Sequence, residues 1–430
     1  MNRGVVTRLS LLPREATSDA GILLRTRAIR GFGDGFVSVL LPLHLATLGF
    51  GNTRVGAVVT ATLVGSAALT LAVGLLAHRF PRRALLLRAS LLMAATGLGF
   101  AFVHDFWPLL VVAFVGTLNP SSGDVSIFLP TEQALLPQTV AASGRTSLFA
   151  RYSLAGSLSA AVGALAAGLP EFLGHRTSLR LGHALDGMFL LYGALGLTTL
   201  AFYRSLSPAV EPAGGRSISP LGASKRTVYR LAALFSLDSL GGGFVVQSLL
   251  ALWLFQRFDL SVATTGTIFF WSGLFSAFSQ LAAPRLAARI GLVQTMVFTH
   301  LPANLFLIAT PFMPTLPLAI ATLLARSLVS SMDVPARTSY VMAVVSPEER
   351  PAAASVTNVP RSLASALGPF PAGYLLGLST FGWPLVIGGT LKAVYDLLLL
   401  AMFQKLKPPE ERDGETDRRR GGQADRRRDG

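Results

Sequence analysis

The chain has 430 residues, 51% hydrophobic and 14% charged, with a formal net charge of +15 and a mean hydropathy of +0.54. A soluble domain of this length needs far more charge to cover its surface, so the composition excludes one and points to a polytopic membrane protein. The basic excess lies in short clusters between apolar runs and in both tails, with no nucleic-acid-binding motif, which argues against a nucleic-acid partner.

Residues 1–26 read as a cytoplasmic tail. Arg3, Arg8, Arg14 and Glu15 interrupt it, and no apolar core with a small-residue cleavage site is present, so the first apolar segment is expected to stay in the mature protein. A helix needs about 20 apolar residues to cross a bilayer. Six candidates follow at 27–49, 54–77, 84–104, 107–129, 147–169 and 184–203. After a Ser-, Pro-, Gly- and Arg-rich stretch come six more at 229–255, 262–283, 291–312, 316–343, 353–377 and 382–404. The expected organisation is all-α: a six-helix bundle over 27–204, a cytoplasmic linker over 205–226, a second six-helix bundle over 227–404, and a disordered cytoplasmic tail over 405–430. With the N-terminus inside, about 30 of the 37 Lys and Arg residues fall on the cytoplasmic side, while Arg54, Arg176, Arg180 and Arg257 fall outside.

Charges within the apolar segments are costly there and mark candidate functional positions. In the first segment Arg30 and Asp34 are four residues apart, so a local ion pair competes with a transport role for Asp34. The fourth holds Asn119, Pro120, Asp124 and Pro130, and the prolines are expected to break it and free carbonyls. Arg151, Arg145 or Arg79 are possible partners of Asp124. The seventh holds Asp238, then Gly241-Gly242-Gly243 and Gln247. In the tenth, Asp333 has Arg337 one turn on, with Pro335 between them, whereas Arg326 has no acid on its own helix. Lys392 and Asp396 in the last segment read as a mutually neutralised pair. Asn119, Gln133, Gln247, Gln280 and Asn304 are each more often helix–helix contacts than ligands.

The two halves repeat. Ser-Ser-x-Asp-Val occurs around both Asp124 and Asp333, and a shift of about 210 positions lays Gly56 on Gly266, Arg79 on Arg289, Pro137 on Pro347, Arg151 on Arg361 and Gly163 on Gly373. Such a repeat implies a pseudo-two-fold axis along the membrane normal, with a cavity between the halves near mid-depth.

One further motif follows the second segment, Gly74-Leu-Leu-Ala-His78-Arg79-Phe80-Pro81-Arg82-Arg83, echoed as Pro284-Arg-Leu-Ala-Ala288-Arg289-Ile290-Gly291 after the eighth. With six helices on either side of a linker, it resembles the major facilitator superfamily, and its drug:proton antiporters in particular. His78 stands where that family has Asp, and Pro81 where it has the second Gly. The resemblance implies a twelve-helix fold whose loop latches the cytoplasmic side, with Gly74, His78, Arg79, Arg82, Arg83, Arg151, Arg289, Arg337 and Arg361 as gating positions. It also places Asp124 and Asp333 on cavity-lining helices and makes the twelfth helix peripheral.

No nucleotide loop, zincin motif or His and carboxylate cluster with metal spacing occurs, so no cofactor or metal is expected and the chain is not expected to be an enzyme. The expected function is secondary transport by alternating access, in a bacterial-type inner (plasma) membrane and as a monomer. It is proton-coupled efflux of small organic molecules, with Asp34, Asp124, Asp238, Asp333, Arg326, Asn119 and Gln247 serving protons or substrate. An importer of a sugar or organic anion, for which Arg326 argues, is the alternative; a non-transporting receptor or scaffold is a remote one.

Overall fold

A computed structural model describes residues 16–76, 80–121, 126–141, 144–211, 221–222, 224–346, 349–404 and 406. Among them the regular structure is helical throughout. The first half holds α1 (Ser18–Thr47), α2 (Asn52–Leu76), α3 (Arg82–Phe102), α4 (Phe106–Val115), α5 (Phe128–Leu135), α6 (Arg145–Ala166), α7 (Leu169–Arg176) and α8 (Leu181–Arg204). The second holds α9 (Lys225–Phe244), α10 (Gln247–Phe258), α11 (Val262–Ile290), α12 (Leu292–Ala309), α13 (Leu316–Val329), α14 (Asp333–Ala343), α15 (Arg350–Leu367), α16 (Pro369–Leu378) and α17 (Trp383–Phe403).

Eight helical stretches in the described residues are long and apolar enough to cross a membrane. With α1, the α4–α5 pair, α11 and the α15–α16 pair they make twelve spans, the all-α polytopic architecture expected from the segment pattern. Four spans are broken, each where the sequence withholds helix formers. Proline lacks a donor N–H and glycine gives up chain entropy, so a helix stops near them unless its neighbours compensate. In the fourth span α4 ends at Val115, the described residues from Gly116 to Ser121 are non-helical around Pro120, and α5 begins at Phe128. The seventh parts after Gly241-Gly242-Gly243, the tenth at 330–332, and the eleventh at Gly368, with Pro369 opening α16 where its missing N–H costs nothing.

The chain divides into two compact units. One comprises Met1–Gly215 with Gln247–Leu274; the other comprises Arg216–Val246 with Phe275–Gly430. In the first unit α1 packs on α6 and α3 on α8; in the second α9 packs on α15 and α12 on α17. The pairing of first with fifth span and third with sixth thus recurs as seventh with eleventh and ninth with twelfth, the structural counterpart of the sequence repeat. The backbones meet closely at small residues. A Cβ on Gly35 would sit 2.0 Å from the Ala160 carbonyl oxygen, and one on Gly243 would sit 2.2 Å from that of Ser365. Small residues at such crossings replace the hydrophobic drive that lipid cannot supply.

The segment from Gln247 to Leu274 is tied into the first unit by hydrogen bonds. Pro120 cannot donate, and its carbonyl, left outside any helix, accepts both the Ser248 amide at 3.1 Å and the Ser248 hydroxyl at 2.7 Å. Gln247 Nε2 donates to Ser38 Oγ at 2.8 Å, Gln256 Nε2 to Asn52 Oδ1 at 2.8 Å, and the Ala263 amide to Glu171 at 3.0 Å.

Candidate functional site: two buried charge clusters

Each unit encloses a cluster of charged side chains. In the first, the fourth span runs further than its apolar stretch suggests, because α5 continues to Leu135 and carries Glu132 inside the protein with no exposure. Four groups converge on that carboxylate. Arg30 from α1 forms an ion pair with it, Tyr152 from α6 donates to the same oxygen, Thr26 donates to the other at 2.9 Å, and Tyr203 from α8 does so at 2.5 Å. The Arg30 guanidinium also lies 4.2 Å from the Phe128 ring centroid. Arg30 therefore pairs with Glu132 and not, as the i, i+4 spacing suggested, with Asp34. The reason is tertiary: α5 brings the Glu132 carboxylate to the Arg30 side of α1. Asp34, also buried, accepts from Asn119 Nδ2 at 3.4 Å, and Asn119 Oδ1 accepts from the amide and hydroxyl of Ser121.

The second cluster centres on Asp238 in α9. Its Oδ1 accepts from Lys392 Nζ of α17 at 2.5 Å, its Oδ2 lies 3.2 Å from Arg337 Nη1 of α14, and His300 Nε2 of α12 is 3.7 Å from Oδ1. Arg337 also pairs with Asp333, as expected one turn along α14. The Lys392–Asp396 pair expected from spacing is replaced: Lys392 turns to Asp238, while Asp396 takes His300 Nδ1 at 2.9 Å and Asn304 Nδ2 at 2.8 Å. The cause is the closeness of α9 and α17. A Cβ on Gly241 would lie 2.7 Å from the Gly388 carbonyl and 2.8 Å from Lys392 Cγ, so the lysine stem crosses Gly241 and delivers its ammonium to the carboxylate one turn away. The twelfth helix is therefore part of the cluster and not a bystander.

All six ionisable members of the second cluster are buried, with exposures from 0% for Asp396 to 8% for Lys392. Taking such charges out of water costs several kcal/mol per ion, offset only when each finds partners of good geometry. That cost is what makes the clusters candidate sites.

The other positions singled out in the sequence fall as follows. Arg326 in α13 belongs to neither cluster; its Nε is buried without a hydrogen-bond partner among the described residues. Gln247 bonds Ser38, and Arg361 Nε donates to Ser239 Oγ at 3.0 Å. Arg151 is half-buried in α6, and Arg289 is exposed at the end of α11. Gly74 lies in the last turn of α2; Asp124, His78 and Arg79 fall outside the described residues, as do 212–220 of the linker and most of the tail.

At the start of α3 the amides of Arg82 and Arg83 donate to the Glu211 carboxylate at 3.0 and 2.9 Å, so Glu211 caps the helix from beyond α8. Arg82 Nη1 also reaches the Ala134 carbonyl at 3.0 Å. Asp19 holds the amide and hydroxyl of Ser207 at 3.0 and 2.6 Å, and in the other unit Glu349 accepts the Gly222 amide at 2.7 Å. Both ends of the 205–226 stretch are thus fastened by carboxylates.

Glu132, His300, Tyr152, Tyr203 and Glu211 were missed by sequence reasoning. A carboxylate three residues past the expected end of a segment was a signal for Glu132; a lone histidine inside an apolar run was one for His300. Among the described residues no three His, Asp or Glu side chains are grouped for a metal ion. A shallow pocket lined by Thr177, Ser178, Leu179, Arg180 and His183 lies in the loop between α7 and α8, away from both clusters.

Twelve helical spans in two repeated halves, with paired charges sealed inside each, define a multi-pass membrane protein of the secondary-transporter class. The family model described as Major Facilitator Superfamily matches residues 26–325 and 231–426. The chain belongs to that superfamily. It is 26% identical over 423 residues to an uncharacterized membrane protein of Saccharomyces cerevisiae, YJR124C, covering 90% of this chain and 94% of that one. It is 29% identical over 128 residues to a D-xylose transporter of Levilactobacillus brevis, 30% of this chain and 28% of that one. The crystal structure of the nucleoside transporter NupG shares the fold, with a TM-score of 0.69 at 16% identity over 90% of this chain and 99% of that one.

Proposed function

We propose that the protein is a proton-coupled exporter of small organic molecules, working by alternating access in a bacterial-type inner membrane with both termini in the cytoplasm. The observation that carries this reading is Asp238, a buried carboxylate shared by Lys392 and Arg337 with His300 beside it. A proton arriving on such a carboxylate cancels the charge that holds three helices together, so binding or loss of a proton changes how α9, α14 and α17 are tied. Asp34, Asp333 and, by the sequence repeat, Asp124 are further carboxylates for protons or substrate, with Asn119 and Gln247 as hydrogen-bonding positions. The orientation is supported by the distribution of Lys and Arg. Gating is assigned to the loop from Gly74 to Arg83 and to Arg151, Arg289, Arg337 and Arg361; the Glu211 cap supports it, since it fastens the Arg82 and Arg83 amides of that motif.

Reconstitution into proteoliposomes tests the reading. Efflux of an organic-cation panel that includes ethidium is expected to follow an imposed pH gradient; movement indifferent to the gradient would sink proton coupling. A second reading, import of a sugar or organic anion, is favoured by Arg326, whose partnerless buried Nε suits an anionic or hydroxylated ligand, and by the partial similarity to the D-xylose transporter. Uptake of D-xylose abolished by Arg326→Ala would select it.

A further inference from the structure

We infer that the His300–Asp396 pair is a proton-binding site, holding the single proton that the charged cluster of the second unit needs in order to be neutral. The proposal concerns where the proton resides; its use in transport rests on the proton-coupling reading above. It assigns the proton to the ninth and twelfth spans, and not to the carboxylates that the sequence made conspicuous.

Charge balance carries the argument. The cluster contains three carboxylates, Asp238, Asp333 and Asp396, and two permanent cations, Arg337 and Lys392, each no more than 8% exposed. Without a further proton it carries one uncompensated negative charge in an apolar unit, which is the costly arrangement. Both permanent cations are committed elsewhere: Lys392 bonds Asp238, and Arg337 is divided between Asp238 and Asp333. Asp396 is left with neutral donors, Asn304 Nδ2 at 2.8 Å and the His300 ring at 2.9 Å. A proton placed there rests on imidazole Nδ1 or on the carboxylate oxygen, and in either form the cluster is neutral.

The surroundings leave no better place for it. The ring faces Asp238 of α9, Asp333 of α14, and Tyr395 and Asp396 of α17, with Asn304 on its own helix; Arg337 and Lys392 stand beside Asp238 as its partners. Arg361 of α15 touches α9 through Ser239 and is only half-buried, and Arg326 of α13 has no ion pair among the described residues.

The ring also bridges two acids, with Nε2 at 3.7 Å from Asp238 Oδ1. A small shift would close that gap. The Nε2–H bond then breaks as an O–H bond forms on Asp238, with Nδ1 taking up the proton shared with Asp396, so the cluster keeps one proton throughout. The pair thereby connects Asp396 with the carboxylate that holds Lys392 and Arg337.

The full chain in lipid nanodiscs, labelled with nitrogen-15 at its 6 histidines, gives a substrate-free test. His300→Gln assigns the ring signal, and proton uptake is counted by titration for the wild type and for Asp396→Asn. The wild type is expected to bind one more proton than Asp396→Asn, and its melting midpoint is expected to fall as pH rises and the proton is lost. In Asp396→Asn two carboxylates face two cations, so the midpoint should be flat and the His300 ring neutral. Equal proton uptake with parallel pH dependence in wild type and Asp396→Asn would overturn the proposal. If Asp396→Asn does not fold, His300→Gln decides: a changed titration supports the site and an unchanged one overturns it. Gradient-indifferent transport by the wild type would refute proton coupling and leave this result standing.

Discussion

Lys392 donates to Asp238 across the α9–α17 crossing at 2.5 Å, although Asp396 lies one turn away on its own helix. Removing one member of a buried pair leaves the other charge uncompensated and typically costs about 3–5 kcal/mol. Lys392→Met should therefore lower stability by that order, and adding Asp238→Asn should recover part of the loss. Denaturant or thermal unfolding of the four proteins in detergent makes the comparison; strictly additive losses would mean that the two side chains do not act as a pair.

Glu132→Gln tests the first cluster. It leaves the Arg30 guanidinium buried opposite a neutral amide, and a loss of about 3–5 kcal/mol is expected. Tyr203→Phe, which removes a single donor from a carboxylate that has three others, should cost only about 1.5–3 kcal/mol. A Glu132→Gln protein as stable as wild type would show that Arg30 reaches water or another anion.

Helix crossings give a third prediction. Gly243→Ala must push its new methyl against the Ser365 carbonyl, 2.2 Å away, and should destabilise by about 1–3 kcal/mol. Gly187→Ala in α8 meets nothing within 4 Å and should be neutral or slightly stabilising. The pair of variants separates loss of close packing from any general effect of replacing glycine, and equal effects would refute the packing argument.

Glu211→Ala should expose the first turn of α3. Loss of a helix cap costs about 1 kcal/mol, so the direct readout is faster hydrogen exchange at the Arg82 and Arg83 amides, with α3 beyond its first turns unaffected. Unchanged exchange at those two amides would remove Glu211 from the loop.

The span pattern was legible because a bilayer demands long apolar runs, and the break in the fourth span was expected from Pro120; the breaks beside Gly241 to Gly243 and at Gly368-Pro369 were not anticipated. Buried charges stood out for the same reason, so Asp34, Asp238, Asp333 and Arg337 could be named from their surroundings alone. Their partners could not. Spacing along one helix suggests Arg30 with Asp34 and Lys392 with Asp396, but both cations leave their own helix for a carboxylate on another. Which of two acids wins depends on how closely two backbones approach, and that depends on where glycines such as Gly241 and Gly388 face each other. Glu132 was overlooked for a different reason: hydropathy ended the fourth segment before α5 did, and a residue counted as outside the membrane draws no attention.

The anchoring of Ser248 on Pro120 also constrains the order in which the protein can be made. The ribosome completes the first 215 residues well before Gln247 to Leu274 emerge, yet those later residues belong to the same compact unit and supply the donors for the Pro120 carbonyl and the Ser38 hydroxyl. The N-terminal six spans synthesised alone are therefore an unfinished body, whose last contacts arrive only with the middle of the following half.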